Sequence, residues 1–139
     1  MSLITLGVAD LQRATAFYEN VVGWKAEPSP PGVTFFDLSG FIFALWSHEE
    51  LAKDMGKPDE SVSSYRGYAL AYNARNESEV DAIFARLKQH GAAILKKPAK
   101  TFWGGYSGYF ADPDGHVWEI AYNPFWTIGQ DGRVSMKPS

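Results

Sequence analysis

The sequence predicts an α+β fold built from two β-α-β-β-β halves, and three observations predict it. The phrase Phe36-Asp37-Leu38-Ser39-Gly40-Phe41-Ile42-Phe43-Ala44-Leu45 returns, in register, as Ala111-Asp112-Pro113-Asp114-Gly115-His116-Val117-Trp118-Glu119-Ile120. Each copy runs from a turn signal into a strand-like stretch, and each follows an amphipathic helical pattern that ends in glycine. At 139 residues the chain is too short for two ordinary domains, so each copy reads as a half that buries its apolar face against the other.

Taken in order, Leu3 to Val8 alternates as a strand, and Asp10 offers an N-cap carboxylate to a helix from about Leu11 to Val22. Ala14, Phe17, Tyr18, Val21 and Val22 recur at spacings of three and four, one apolar stripe, and Gly23 supplies the residue that stops the helix. Trp24 to Glu27 is read as a short strand, Pro28-Ser29-Pro30-Pro31-Gly32 as a forced turn, and Val33 to Leu38 and Phe41 to Ser47 as two more strands. Residues 48–64 form a linker with a short helix around Glu49 to Met55 and a polar run, Lys57-Pro58-Asp59-Glu60-Ser61. The second half repeats the order. Tyr65 to Asn73 is a strand, Asn76 with Glu79 three residues later marks a helix start, and Val80, Ile83, Phe84 and Leu87 give the stripe that Gly91 ends. Ala92 to Leu95 is a strand, Lys96 to Gly105 a loop, and Tyr106 to Ala111 leads to the last hairpin. The halves therefore run from about 1–47 and 65–123 inside one domain, 1–124, followed by a tail, 125–139, and the Pro124, Phe125 and Trp126 cluster at their junction is expected to pack back on the body.

Composition excludes several classes of function. With 45% hydrophobic and 21% charged residues the chain is an ordinary globular one, and a net charge of -3 gives no basic surface for nucleic acid or an anionic membrane. The absence of cysteine removes disulfides, thiolate nucleophiles and thiolate-bound metals, and fits a cytoplasmic location. No apolar run approaches the length of a membrane span, and the N-terminus lacks the layout of a secretion signal. No Ser-His-Asp constellation or phosphate-cradling loop is present, which disfavours hydrolytic and nucleotide-dependent chemistry.

The second hairpin carries the chemistry. In Asp112-Pro113-Asp114-Gly115 the proline pre-sets φ, the aspartates bond nearby N–H groups and Gly115 takes a positive φ. The strand Val117 to Tyr122 then displays Glu119 on one face together with Val117 and Ala121.

Val8-Ala9-Asp10-Leu11, Phe17-Tyr18-Glu19, Val22-Gly23-Trp24 and Asp112-Pro113-Asp114-Gly115-His116-Val117-Trp118-Glu119, in this order and duplicated, resemble the vicinal oxygen chelate superfamily of glyoxalase I, bleomycin-resistance proteins, extradiol dioxygenases and fosfomycin-resistance proteins. The resemblance covers nearly all of the chain up to about Pro124. It implies that the two halves close one cupped, eight-stranded mixed sheet with helices outside and ligand inside, often as a homodimer. In metal-using members the cup holds a divalent ion through four side chains, from the first and last strands of each half. Carried onto this chain, those positions are Leu3, Ala44, Gly67 (with Arg66 and Tyr68 beside it) and Glu119. Only Glu119 has a donor atom of the usual kind, so no metal and no other cofactor is expected. His48, His90 and His116 are expected in structural or solvated roles.

If Glu119 faces the cup, strand parity adds Ile42, Ala44 and Trp46 to it and sends Phe43, Leu45, Trp118 and Ile120 under the helices. The first strands contribute Leu3, Thr5, Tyr65, Gly67 and Ala69. The aromatic, glycine-rich stretch from Thr101 to Tyr109 is longer than its first-half counterpart, and Trp103 is either a lid over the cup or, with Tyr106, a plug in it. The expected ligand-binding residues are thus Thr5, Ile42, Trp46, Tyr65, Ala69, Trp103, Tyr106 and Glu119, for a small aromatic or apolar molecule bound without metal. Two alternatives stand beside this: a superfamily lyase, isomerase or dioxygenase that uses Glu119 as metal ligand or acid/base, and a non-catalytic interaction protein that uses Pro124-Phe125-Trp126.

Overall fold

A computed structural model describes residues 1–57 and 65–137. The polar part of the expected linker, 58–64, and the last two residues of the tail lie outside the described residues. The chain divides into two compact units, Met1–Gly67 and Tyr68–Ser139.

In the first unit, β1 (Leu3–Val8) is followed by helix α1 (Leu11–Phe17), whose N-terminus is capped by the Asp10 carboxylate accepting from the Arg13 N–H. The helix does not stay α-helical to Val22. It widens into a π turn, Tyr18–Val22, and ends at Gly23 with φ of 91°. A π turn carries an extra residue per turn and so rotates the side chains that follow. Here it belongs to a fully buried Tyr18 stacked on Trp24 (5.6 Å between rings) and set edge-on to Phe43 (4.9 Å). Strands β2 (Val33–Asp37) and β3 (Ile42–Ser47) complete a sheet in the order β1-β3-β2, with β1 parallel and β2 antiparallel to β3. The strand expected over Trp24 to Glu27 reduces to one bridge, Glu27 to Phe35, because the prolines that follow have no N–H to continue a ladder. Helix α2 (His48–Asp54) starts directly from β3, with the Ser47 hydroxyl accepting from the Glu50 N–H.

The second unit follows the same order. Strand β4 (Leu70–Ala74) is shorter than the run expected from Tyr65, since Gly67 takes a φ of 74° and breaks the extended chain before it. Helix α3 (Glu77–Gln89) has the expected start: Asn76 accepts from the Glu79 N–H, and the Glu79 carboxylate reaches back to the Arg75 N–H. Strands β5 (Ala93–Lys100), β6 (Tyr106–Ala111) and β7 (Val117–Tyr122) build a sheet in the order β4-β7-β6-β5, with β4 parallel to β7 and the others antiparallel. The loop expected from Lys96 is mostly strand: β5 continues to Lys100 through two register shifts, around Lys96 and before Ala99, which absorb the proline and the missing alternation. Gly108 of β6 lies beneath this irregularity, where a Cβ would stand 2.7 Å from the Phe84 ring and 2.8 Å from the Lys96 carbonyl.

The tail forms a further hairpin, β8 (Thr127–Ile128) and β9 (Val134–Ser135), turned at Gly132. The Arg75 guanidinium holds it, donating to the carbonyls of Ile128 (3.2 Å) and Gly129 (2.7 Å). The fold is α+β with mixed sheets, as the sequence predicts. Its described strands make a three-stranded sheet, a four-stranded sheet and the terminal hairpin, rather than the single eight-stranded sheet expected.

Candidate functional site

Parity is fixed in each unit by helix contacts. In the first, Thr34 of β2 bonds Thr15 of α1 (2.8 Å between hydroxyls), so Thr34, Leu45, Phe43 and Leu6 lie under α1. Thr5, Phe35, Ile42, Ala44 and Trp46 take the opposite face, on which the His48 ring covers Gly7 at 2.5 Å from where a Cβ would be. Sequence reasoning left His48 in the linker. Its place follows from α2 starting immediately after the last residue of β3, next to a glycine in the paired strand.

In the second unit, Phe110 and Trp118 stack in parallel under α3 (6.4 Å, 7°), and Tyr106 donates to Asp81 of that helix (2.6 Å). Glu119 lies on the other face of β7, paired with Ala71 of β4 and Tyr109 of β6. The Tyr109 phenol thus faces the Glu119 carboxylate across the β6–β7 pair. The polar interaction with Glu119, then burial and the negative charge of that carboxylate, push the Tyr109 phenol above its ordinary value of 10.0, so it keeps its proton. Around the pair are small side chains: Ala71, Ala111, Val117 and Ala121. Sequence reasoning missed Tyr109 as the partner. Counting back across the Asp112–Gly115 turn would have paired it with Glu119, because hairpin register follows loop length.

The other expected residues are spread more widely. Thr5, Ile42 and Trp46 share the face of the first sheet away from α1. Tyr65 precedes β4 and is 83% exposed, and Ala69 is exposed one residue before that strand. Tyr106 is a correction: its parity and its bond to Asp81 carry it to the helix side, away from Glu119. Trp103 sits in the tight turn 101–105 that joins β5 to β6, closed by the Thr101 N–H to the Gly105 carbonyl (2.9 Å). Its indole rests on Gly105, where any Cβ would collide with it. His116 is buried rather than an outer turn residue: its backbone N–H donates to Asp112 (2.8 Å), and its Nδ1 lies 2.9 Å from the Tyr68 hydroxyl.

The metal positions implied by the resemblance can be tested on the ladders. Thr5 pairs with Ala44 and Ala71 with Glu119, so the second-unit counterpart of Leu3 is Ala69 and not Gly67. Leu3, Ala44 and Ala69 offer only hydrocarbon, and no group of three His, Cys, Asp or Glu residues that could hold a metal occurs among the described residues. A single carboxylate with a phenol does not fit a resident divalent ion.

A duplicated unit with its first strand parallel to its last, and a carboxylate on the helix-free face of the second copy's last strand, is the topology of the glyoxalase type of fold. The chain belongs to the Glyoxalase/Bleomycin resistance protein/Dioxygenase superfamily, whose family model matches residues 1–120. It is 33% identical over 117 residues to the metallothiol transferase FosB of Lysinibacillus sphaericus, covering 84% of this chain and 77% of that one. Among solved structures it resembles a glyoxalase-related enzyme from Fulvimarina pelagi, with 40% identity, a TM-score of 0.88 and 99% and 97% of the two chains covered. It also resembles the fosfomycin resistance protein FosX of Listeria monocytogenes, with 27% identity, a TM-score of 0.70 and 88% and 92% covered. None of the helices among the described residues is long and apolar enough to cross a membrane.

Proposed function

We propose that this chain is a superfamily enzyme that activates a nucleophile against a small-molecule substrate, with Glu119 as the general base and Tyr109 as the hydroxyl coupled to it. The observation that carries this is the cross-strand pairing of Tyr109 with Glu119 on the sheet face away from α3, among small side chains. The relatives add the reaction class, since the FosB name is that of a thiol transferase. In an addition of a thiol or water, Glu119 takes the proton of the nucleophile as its sulfur or oxygen bonds to an electrophilic carbon. The oxygen that leaves that carbon takes the Tyr109 proton, and Glu119 returns its proton to the phenolate opposite it in the strand pair. The protons balance within the pair. This differs from the metal chemistry in the name of the relative because Leu3, Ala44 and Ala69 supply no ligands.

A second reading, binding of a small aromatic or apolar molecule without turnover, draws on the apolar face of the first sheet away from α1, with Phe35, Ile42, Ala44 and Trp46. One assay separates the two: fosfomycin and glutathione are incubated with the chain and followed by NMR. The enzyme reading expects conversion that Glu119→Gln lowers by about 100-fold. Binding without conversion supports the second reading, and conversion unaffected by Glu119→Gln overturns the role of the carboxylate. Homodimerisation and a cytoplasmic location belong to the same proposal and are checked by light scattering and fractionation.

A further inference from the structure

The family model matches residues 1–120, and the chain beyond that match builds an element of its own. Residues Asn123 to Trp126 make a fixed turn: Asn123 accepts from the Phe125 N–H at its Oδ1 (2.9 Å) and from the Trp126 N–H at its carbonyl (3.3 Å). The Phe125 ring lies against the β5–β6 turn, 3.1 Å from where a Cβ on Gly104 would stand. The hairpin that follows is closed by bonds within itself, from the Gly129 N–H to the Arg133 carbonyl (2.9 Å) and from the Thr127 hydroxyl to the Lys137 carbonyl (2.7 Å). Arg75 ties it to the body through the carbonyls of Ile128 and Gly129. The geometry points to β8–β9 as a flap that pivots on the Asn123–Trp126 turn and is latched by Arg75, opening and closing one end of the second sheet.

The two sides of the latch differ in firmness. On the body side the Glu79 carboxylate accepts from the Arg75 N–H (2.6 Å) and the Tyr72 hydroxyl (2.9 Å), which fixes Arg75 at the start of α3. On the flap side Asp131 stands beside Gly129, its Oδ1 2.7 Å from where a Cβ on that residue would be, but this carboxylate accepts from the Arg133 N–H (3.0 Å) and pairs with the Arg133 side chain (3.6 Å). The hold on the flap is therefore read as the two charge-assisted bonds to carbonyls. Burial adds little. Every residue from Asn123 to Lys137 is exposed or half-buried, whereas Trp118, Ile120 and Ala121 of β7 are buried. A two-stranded hairpin is marginal by itself, and an element with few buried contacts opens at far lower cost than the core. Once the two bonds break, the hairpin swings and frays while β4 and β7 stay paired.

The position of the flap gives the motion its use. With the latch closed, Trp126 and Ile128 wall a cleft of about 120 Å³ against Asn73, Arg75 and Tyr122. Asn73 pairs with Ala121, two positions along β4 from the Ala71–Glu119 pair, so it lies on the same face as Glu119. Lifting β8–β9 removes the Ile128 wall and uncovers that end of the face. The motion belongs to the tail and holds whether or not Glu119 acts as a base.

The test is native-state hydrogen exchange on the full chain labelled with nitrogen-15. The Gly129 and Gly132 amides are expected to exchange at least 100-fold faster than those of β7 and to keep their rates in sub-denaturing urea, which accelerates the β7 amides. Arg75→Gln is expected to speed the hairpin amides at least tenfold with β7 unchanged, and Arg75→Lys, which keeps the charge but not the two-pronged donor, to fall between. A neutral nitroxide in solution reads the gate: its broadening of the Asn73 side-chain NH2 signals should at least double in Arg75→Gln. Hairpin amides that share the rates and urea dependence of β7 would show that no flap opens. Unchanged hairpin exchange in both Arg75 variants would overturn the latch, and unchanged nitroxide broadening with a loosened hairpin would overturn the gate. If Arg75→Gln disturbs β7 as well, the wild-type urea dependence decides the opening and Arg75→Lys the latch.

Discussion

Tyr109 shows what a single residue contributes to this account. Its phenol keeps its proton above the ordinary range because the Glu119 carboxylate faces it, and losing that proton would place two negative charges side by side. Tyr109→Phe keeps the ring and removes the proton, so kcat is expected to fall about 100-fold with little change in KM. The same residue affects stability at high pH. Tyr72 (raised first by burial), Tyr106 (first by its bond to Asp81) and Tyr109 (first by its bond to Glu119) all titrate above their ordinary 10.0 in the folded chain. In the unfolded chain they ionise first, so the stability from these bonds is complete below pH 10.0 and is lost as pH rises through the higher folded values. Urea melts from neutral pH upwards should show a smaller alkaline loss for Tyr109→Phe than for the wild type. Gly108 is a second case. A methyl there meets Phe84 and two backbone atoms of the β5 irregularity, so Gly108→Ala should cost about 1–3 kcal/mol in the same melts. Glu119 itself was legible from its turn and parity, whereas Tyr109 and Arg75 were not, because each gains its meaning from a residue 10 or more positions away.

At the level of elements, those with a local cause were legible and those with a tertiary cause were not. Asp10 with Gly23, and Asn76 with Glu79 and Gly91, framed both helices because caps act within one turn of chain. The π turn at Tyr18 and the length of β5 escaped. The first is bound up with packing of Tyr18 on Trp24 and Phe43, and the second is a polar strand whose Lys96-Lys97-Pro98 shows no alternation and is kept in the sheet by pairing with β6. The expected insertion around Trp103 is accordingly a long β5–β6 hairpin with a five-residue turn. Trp103 remains the proposed cover of the bound molecule. Trp103→Ala should then weaken ligand binding about tenfold with a small shift in melting temperature, since an exposed turn adds little to the core. Heavy loss of stability with unchanged affinity would make the indole a structural support for Gly105.

For the whole molecule, the central claim is that a superfamily chain works through an acid–base pair where the name of its FosB relative specifies a metal. The duplicated topology is common to both units, and only the second carries an acidic residue at the matching place of its last strand, Glu119 against Ala44. The most direct measurement is turnover of fosfomycin with glutathione by chain stripped with a chelator, with metal content determined on the same sample. The account predicts turnover that survives with far less than one metal ion per chain and is lost in Glu119→Gln. Turnover that vanishes on stripping and returns in proportion to an added divalent ion would contradict it.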